Sequence, residues 1–242
     1  MGTSHRIDYE FRFVLGVKRV NVLLFGATGM VGQGVLHECL LDPDVERVLA
    51  IGRALLGRQH EKLRELVRRD LSDYSDVENK LSGFDACFFC LGISSAGMTE
   101  EAYRRVTHDL TLAAATTLAR LNPGMTFIYV SGAGTDSSER GRSMWARVKG
   151  KTENDLLRLP FKAVYMFRPA VIQPLHGVTS RTRSYRLLYF LSGWMLPVLK
   201  PLFPKYITTT EQVGRAMLSV AKNGCPTRIL ESDDINSLKN PG

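Results

Sequence analysis

The chain has 242 residues, 44% of them hydrophobic and 23% charged, with a net charge of +8 at pH 7. This length and composition are those of a globular protein with one sizeable core, and they exclude a fibrous or fully disordered chain. The sequence has no run of the roughly 18 apolar residues that a membrane-spanning helix needs. Charged residues interrupt the first 19 positions, so we expect an N-terminal tail at 1–19, no secretory signal peptide and a cytoplasmic location.

The positive charge is concentrated in one part of the chain. Residues 156–210 contain no Asp or Glu. The basic residues in this range are Arg158, Lys162, Arg168, Arg181, Arg183, Arg186, Lys200 and Lys205. Without these eight, 24 Lys and Arg (32 − 8) balance 24 Asp and Glu, so the net charge is a local property. A local positive charge favours an anionic partner.

The first half of the chain alternates apolar runs with helical patterns. Residues 20–25 (VNVLLF) predict a strand, which a glycine turn and a helix follow, and residues 45–52 (VERVLAIG) predict the next strand. Between this strand and the third, the segment 58–70 has a helical spacing of Leu63, Leu66 and Val67. Residues 84–92 (FDACFFCLG) predict a further buried strand.

Cys87 and Cys90 in that strand resemble a metal or redox motif only by their spacing. Residues three apart in a strand point to opposite faces, so the two sulfur atoms cannot easily share a metal ion or a bond. We therefore interpret them as core residues and predict no metal site. Reduced thiols also fit a cytoplasmic protein.

The second half continues the alternation as far as residue 171. A long helix is predicted at 99–121 with Val106, Leu110, Ala113 and Thr117 on its inner stripe. Strands at 125–132 and 161–169 enclose a helix that contains Lys149. Continuous apolar strands that alternate with helices predict an α/β protein, a doubly wound parallel-sheet Rossmann fold over residues 20–171.

Beyond residue 171 the pattern changes. Prolines interrupt residues 172–210, so we predict a small substrate lobe there, and residues 211–242 return to the core as a helix and a tail. The helix at 211–222 has Val213, Ala216, Met217 and Val220 on its inner face. The basic residues of the lobe lie among bulky apolar ones, and no zinc-ligand or helix-turn-helix spacing is present, so we expect no nucleic-acid partner.

The glycine turn is the most specific motif. Gly26, Gly29 and Gly32 form a GxxGxxG pattern directly after a strand and at the start of a helix. The first glycine permits the tight turn, the second lets the backbone approach a pyrophosphate, and the third allows close helix–strand packing. The helix N-terminus then binds the phosphates. This context predicts a dinucleotide cofactor.

The end of the second strand indicates which dinucleotide binds. NAD sites usually have Asp or Glu there for the ribose 2′-hydroxyl, whereas this chain has Gly52 and Arg53, with Arg58 nearby. A guanidinium can pair with a 2′-phosphate, so we predict NADP(H) rather than NAD. For Arg58, an ordinary solvated arginine is the simpler interpretation. Topology further places Asp70 and Leu71, and the strand end at 91–93, beside the cofactor.

Six blocks in this order, FGATGMVG, IGR, CLGISS, YVSGAG, VKGKTE and FRPAVIQP, resemble the atypical, extended-type short-chain dehydrogenase/reductases, particularly their Tat-interacting-protein-like and NmrA-like branches. The resemblance covers about residues 20–225. It implies that Ser131 polarises a substrate carbonyl and that Lys149 holds the nicotinamide ribose. It also implies that the backbone after Arg168, at Pro169 and Ala170, faces the nicotinamide, although Arg168 itself could equally form a structural salt bridge.

The family's proton-donating tyrosine, four residues before the lysine, corresponds to Trp145. An indole N–H does not give up its proton at physiological pH. Three alternatives follow. Lys149 or a water held by Ser131 supplies the proton, the protein binds NADP without turnover as a redox-responsive regulator, or Tyr185 or Tyr189 of the lobe swings in.

We therefore expect an NADP(H)-dependent oxidoreductase acting on a small or amphiphilic carbonyl compound, with a non-catalytic NADP-sensing protein as the alternative. An anionic substrate group or an anionic membrane surface would suit the basic lobe. The resemblance also implies a homodimer through the helix at 101–121. The predicted catalytic residues are Ser131, Trp145 and Lys149. The predicted cofactor-binding residues are Gly26, Thr28, Gly29, Met30, Val31, Gly32, Arg53, Asp70, Leu71, Leu91, Gly92, Ile93, Lys149, Pro169 and Ala170.

Overall fold

The structure is a computed structural model, and it describes residues 19–177 and 205–238. The predicted tail up to residue 18, most of the substrate lobe at 178–204 and the last four residues lie outside the described ranges. The interpretation of Tyr185 and Tyr189 as alternative proton donors falls in the undescribed part of the lobe. So do Arg181, Arg183 and Arg186.

A seven-stranded parallel sheet forms the centre of the protein, in the order β3-β2-β1-β4-β5-β6-β9. Its strands are β1 Val20–Phe25, β2 Val45–Gly52, β3 Leu63–Val67, β4 Ala86–Phe89, β5 Thr126–Val130, β6 Ala163–Arg168 and β9 Ile229–Glu231. A small parallel pair, β7 Val171–Gln173 and β8 Ile207–Thr209, lies apart from the sheet. The strand order reverses beside β1, where open α/β sheets bind their ligands at the carboxyl ends of the strands.

Helices cover both faces of the sheet, which confirms the predicted doubly wound Rossmann fold. They are α1 Met30–Leu41, α2 Glu78–Leu81, α3 Glu100–Arg104, α4 Leu110–Leu121, α5 Met144–Leu156, α6 Thr210–Asn223 and α7 Ser232–Ser237. A 3-10 turn, Ser75–Val77, precedes α2, and a π turn, Arg105–Asp109, joins α3 to α4. No helix of the described ranges is long and apolar enough to cross a membrane.

The two faces of the sheet form separate apolar layers. One contains Leu24, Val35 and Met217, and the other contains Phe25, Phe127 and Leu118. Cys87 belongs to the second layer, whereas Cys90 packs against the first. The two thiols thus point to opposite faces, as the strand interpretation predicted, and Cys39, Cys87, Cys90 and Cys225 are free. The predicted inner face of the C-terminal helix is confirmed, because Val213, Ala216, Met217 and Val220 of α6 are fully buried.

The predicted helix at 58–70 is wrong. Residues 63–67 form β3, which pairs with β2 from Val48 opposite Leu63 to Gly52 opposite Val67. Leu63 packs into one apolar layer and Leu66 against the other, as alternation in a strand requires. Three apolar residues in five fit the period of a helix as well as that of a strand. The hydrogen-bonding edge of β2 is available for pairing, and this decides in favour of the strand.

The long helix exists, but its predicted inner stripe is displaced by one residue. Val106 is 40% exposed, while Thr107, Thr111 and Leu118 are buried. The helix approaches its neighbours through small side chains at its buried positions, including Ala114 and Ala115. The pattern of large apolar residues therefore did not identify its inner face.

Candidate cofactor cleft and active site

The glycine turn joins β1 to α1 by close backbone contacts. Gly26 has φ +79°, and a Cβ atom there would stand 2.6 Å from the carbonyl oxygen of Cys90. A Cβ on Gly32 would overlap the carbonyl of Gly26 itself. The amide of Gly29 donates to the Gly26 carbonyl at 2.9 Å. Gly26 and Gly32 thus need the absence of a side chain, and a tight phosphate-binding turn requires this geometry.

The N-terminus of α1 is suited to an anion. Gly29 is the N-cap and its extended backbone starts the helix, and no described side chain caps it. The first turn, which holds Met30 and Val31, carries no acidic residue. Free N–H groups at the positive end of a helix bind phosphate without further side chains. The backbone therefore fits the pyrophosphate of a dinucleotide.

A narrow cleft of about 70 Å³ continues from this turn along the ends of β1, β2 and β3. Gly26, Thr28, Arg53, Leu71 and Leu91 are among the residues that line it. Arg53 is exposed and forms no ion pair with any residue in the described ranges. The lining combines apolar side chains with the charged Arg53 and Glu65.

Three further residues that topology placed beside the cofactor do not line the cleft: Asp70, Gly92 and Ile93. The carboxylate of Asp70 accepts from the backbone and hydroxyl of Ser72 at 2.8 and 2.6 Å, and these bonds lower the pKa of Asp70. Asp70 does not line the cleft, although its neighbour Leu71 does. Gly92 and Ile93 follow Leu91 on the exposed side of the strand end.

At the other end of the same sheet edge, Ser131 and Lys149 lie together. Lys149 of α5 donates from Nζ to the carbonyl oxygen of Ser131, which directly follows β5. The loop after Ser131 is fastened to the end of β6, because Ala133 donates its N–H to the carbonyl of Pro169 at 3.0 Å. Gly132, at φ +113°, lies between Lys149 and Pro169. Lys149, Ser131 and Pro169 thus lie together at this edge.

The Ser131 hydroxyl faces inward in this structure. Ser131 is 2% exposed, and its Oγ donates to the carbonyl of Phe167 at 3.3 Å. This distance is at the long end for a hydroxyl hydrogen bond, so a rotation about χ1 releases the hydroxyl at little cost. The predicted oxyanion role of Ser131 requires that rotation.

Two cations near this edge have opposite environments. Burial lowers the pKa of Lys149 to about 8, and the charge of Glu153, one turn along α5, opposes part of that shift. Arg168 instead pairs with Glu153, from Nε to Oε1 at 3.0 Å and through a second, shorter bond. The hydrogen bonds to Glu153 raise the pKa of Arg168. Arg168 is therefore the structural salt-bridge former of the two interpretations, and it also donates to Ser137 at 2.6 Å.

Trp145 lies one turn before Lys149 on α5 and is half-buried. Its six-membered ring covers Gly134, where a Cβ atom would stand 3.3 Å from the ring. The indole thus packs on the loop at Gly134, one helical turn from the lysine, and offers a single N–H donor. Gly150 fixes the helix close to the loop, because a Cβ there would overlap the carbonyl of Asp136.

The sequence interpretation missed a second, larger cleft of about 390 Å³ beside the glycine turn. Gln33 and His37 of α1, Arg58 after β2, and His176 after β7 line it. His37 and His176 come together from distant parts of the chain, and only the fold brings them close. The helical position of His37, one turn after Gln33 on the same side of α1, was the one signal available in the sequence.

Comparison with known proteins gives a consistent result. The model of the NAD dependent epimerase/dehydratase family matches residues 22–141. Protein fmp52 of Emericella nidulans is 30% identical over 207 residues, which cover 82% of this chain and 86% of that protein. Protein HTATIP2 of Rattus norvegicus is 28% identical over 63% of this chain and 62% of that protein.

Solved structures share the fold. WbmF of Bordetella bronchiseptica, in complex with NAD+, superimposes with a TM-score of 0.63 at 14% identity over 92% of this chain and 78% of that one. An NADPH-bound carbonyl reductase from chicken fatty liver gives a TM-score of 0.58 at 16% identity over 90% of this chain and 94% of that one. At these identities the likeness concerns the fold alone.

The relatives correct one prediction. The fmp52 proteins of four fungi are named mitochondrial, which contradicts the expected cytoplasmic location. That expectation rested on interrupted apolar character near the N-terminus and on free cysteines. Neither feature distinguishes the cytoplasm from another reducing compartment.

The glycine turn, the seven-stranded parallel sheet and relatives at 30% identity over most of both chains all agree. The chain therefore belongs to the atypical, extended-type short-chain dehydrogenase/reductase family, whose Rossmann fold binds nicotinamide dinucleotides.

Proposed function

We propose that the protein is an NADP(H)-dependent reductase of small or amphiphilic carbonyl compounds in which Lys149 donates the proton. The observation that carries this proposal is the half-buried Lys149, whose pKa is lowered to about 8 next to Ser131 at the sheet edge. A general acid works best with a pKa near the working pH. At pH 7 the ammonium is still protonated, yet it releases its proton far more readily than an ordinary lysine.

The adenine end of the cofactor would lie at the glycine turn, and the nicotinamide end would lie beside Ser131 and Lys149. Gly26, Thr28, Gly29 and Gly32, with the N-terminus of α1, would hold the pyrophosphate. Arg53 would pair with the 2′-phosphate, and Leu71 and Leu91 would enclose the adenine. The remaining predicted contacts are Met30, Val31, Asp70, Gly92, Ile93, Lys149, Pro169 and Ala170.

When bound, the reduced nicotinamide supplies a hydride to the carbonyl carbon. The residues of the chain manage the oxygen. The Ser131 hydroxyl, rotated away from Phe167, donates a hydrogen bond to the substrate oxygen and orients it. Lys149 then transfers a proton from Nζ to that oxygen, so the product is the alcohol, and water reprotonates the neutral amine.

Trp145 supports this division of roles. In the proposal it replaces the tyrosine that relatives use, and its ring, which covers Gly134, would limit the access of water to Lys149 one helical turn away. The exclusion of water is consistent with the low pKa of the lysine. The competing function, a non-catalytic NADP-sensing regulator, rests on the same residue, since an indole cannot transfer a proton.

NADPH oxidation against a panel of aldehydes and ketones tests the proposal, with the natural protein, Lys149→Met, Trp145→Tyr and Lys151→Met measured in parallel. Lys151→Met is a matched control, because Lys151 lies on the same helix and forms a surface pair with Asp155 at 2.9 Å. We expect turnover by the natural protein and the control, and a loss of about 100-fold or more in Lys149→Met.

Each other outcome is informative. Turnover by Trp145→Tyr alone would show an intact cofactor site without chemistry in the natural chain and would favour the regulator. Equal turnover by the natural protein and Lys149→Met would remove the lysine from proton transfer. A chain that binds NADPH but reduces nothing in any variant would contradict the oxidoreductase assignment.

A further inference from the structure

We propose that His37, Glu38 and His176 form a binding site for a divalent transition-metal ion, at the edge of the larger cleft. This inference is independent of the proposed reductase activity. One potential ligand atom from each residue lies within 4.8 Å of the other two. The two imidazole rings face each other, with centroids 4.7 Å apart and planes inclined by 35°.

The donor set fits ions of the zinc type. Two imidazoles and a carboxylate are common ligands of Zn²⁺ and its first-row neighbours. Ligand atoms about 2.1 Å from such an ion stand about 3.3 Å apart, so small side-chain rotations are enough to close the site. The cleft beside the histidines leaves room for water or an external ligand at the remaining positions.

Neighbouring groups already orient the ligands. The Nε2 atom of His176 is 2.9 Å from Glu211 Oε2, so the ring is held by a carboxylate of α6. A carboxylate that accepts from one ring nitrogen leaves the other nitrogen as a lone-pair donor, which is the usual support for a metal-bound histidine. Glu38 accepts from Arg215 Nε at 3.0 Å through Oε2, so Oε1 is its candidate ligand atom.

The local charge favours a cation. Glu38 and Glu211 both pair with the single guanidinium of Arg215, at 3.0 and 2.8 Å. With neutral histidines these three side chains together carry one net negative charge, Arg58 lines the adjacent cleft, and Glu38 is only 5% exposed. An ion beside Glu38 would compensate the part of its buried charge that Arg215, shared with Glu211, leaves.

The backbone provides a further observation. His176 has φ +56°, a left-handed conformation that non-glycine residues rarely adopt. Such strain persists where surrounding structure holds it, and it clusters at binding sites. Here it places the His176 ring against His37, so an ion would join α1 to the segment after β7.

The test is a titration of the tag-free full chain with Zn²⁺ after treatment with a chelator, followed by calorimetry. We expect one ion per chain with a Kd in the micromolar range or below. His37→Gln and His176→Gln should each weaken binding at least tenfold. His60→Gln is the matched control, since His60 lies outside the cluster and bonds to the backbone of Lys62. Circular dichroism and thermal unfolding establish that each variant is folded.

A measurement on the natural protein does not depend on variants. Zn²⁺ should shift the imidazole NMR signals of two of the five histidines. Binding that is absent, equal affinity in the natural protein and both cluster variants, or shifts confined to other histidines would each overturn the proposal. In that event the two rings are a tilted pair, of which Glu211 holds His176.

Discussion

At the carboxyl edge of the sheet, the glycine turn and the surroundings of Lys149 depend on different interactions. Around Gly26 and Gly32 the geometry is set by backbone atoms that approach too closely for any side chain. Around Lys149 it is set by charges, because Lys149, which forms no ion pair within residues 19–177 and 205–238, and the paired Arg168 lie near the same acid, Glu153. Steric requirements appear in the sequence as glycines at fixed spacing. Electrostatic ones depend on which side chains the fold brings together.

The largest expected effect is at the electrostatic end, in the buried ion pair of Arg168 and Glu153. Arg168→Met leaves Glu153, 1% exposed, without its partner, and should lower the free energy of unfolding by about 3–5 kcal/mol. The double change Arg168→Met with Glu153→Leu should recover most of this loss, because it removes the uncompensated charge. Urea unfolding measures both. A single change that costs less than about 1 kcal/mol would contradict a structural role for Arg168.

At the steric end, Gly32→Ala should cost about 3 kcal/mol of stability and abolish measurable NADPH binding, because its methyl group overlaps the Gly26 carbonyl. Gly124→Ala is the control, since a Cβ there meets nothing within 4 Å. Thermal unfolding and NADPH fluorescence titration follow the two effects. If Gly32→Ala behaved like the control, the turn would not need its third glycine.

Arg53 is a charged residue in the cleft beside the glycine turn, where backbone contacts otherwise set the geometry. Arg53→Glu should weaken NADPH binding about 30-fold, or about 2 kcal/mol, and leave NADH binding within about threefold. Arg58→Glu, in the neighbouring cleft, should change either affinity less. Parallel titrations with the two cofactors decide it. An unchanged preference in Arg53→Glu would contradict the assignment of the 2′-phosphate to Arg53.

The smallest expected effect is that of Lys149 on the free energy of unfolding. Since the pKa of Lys149 is about 8 when folded and near 10.5 when unfolded, the unfolded chain binds more protons between these values. The contribution of Lys149 is therefore unfavourable below pH 8 and is relieved as the pH rises to about 10.5. Lys149→Met should be about 1–2 kcal/mol more stable than the natural protein at pH 7, with a smaller difference at pH 10.

Lys151→Met serves as the control for this measurement, because Lys151 is on the exposed side of α5. Chemical denaturation at pH 7 and pH 10 gives the two differences. A difference for Lys149→Met that does not depend on pH would show that burial of its charge is not costly.

Much of the fold could be predicted from the sequence, because β1, β4, β5 and β6 are continuous apolar runs with helices between them. The edge strand β3 could not, since Leu63, Leu66 and Val67 fit two periodicities and pairing with β2 decides between them. The inner face of the long helix failed for a related reason. Small residues such as Thr107 and Thr111 let it approach its neighbours, and they carry little hydrophobic signal.

The site divides in the same way. The glycine turn was predictable from spacing, whereas Arg168 remained between two interpretations until its contact with Glu153 was visible. The meeting of His37 and His176 was not predictable, because residues far apart in the chain give no local pattern. Trp145 was recognised from its position relative to Lys149, but its packing on Gly134 comes from the fold.

The central claim is that Lys149 supplies the proton, and the pH dependence of kcat/KM for NADPH-dependent carbonyl reduction tests it most directly. The account predicts a plateau below pH 8 and a tenfold fall per pH unit above it, because only the protonated lysine is active. The same profile should persist in Lys151→Met and vanish with the activity in Lys149→Met. A rate that stays constant from pH 6 to pH 10, or that survives in Lys149→Met, would contradict it.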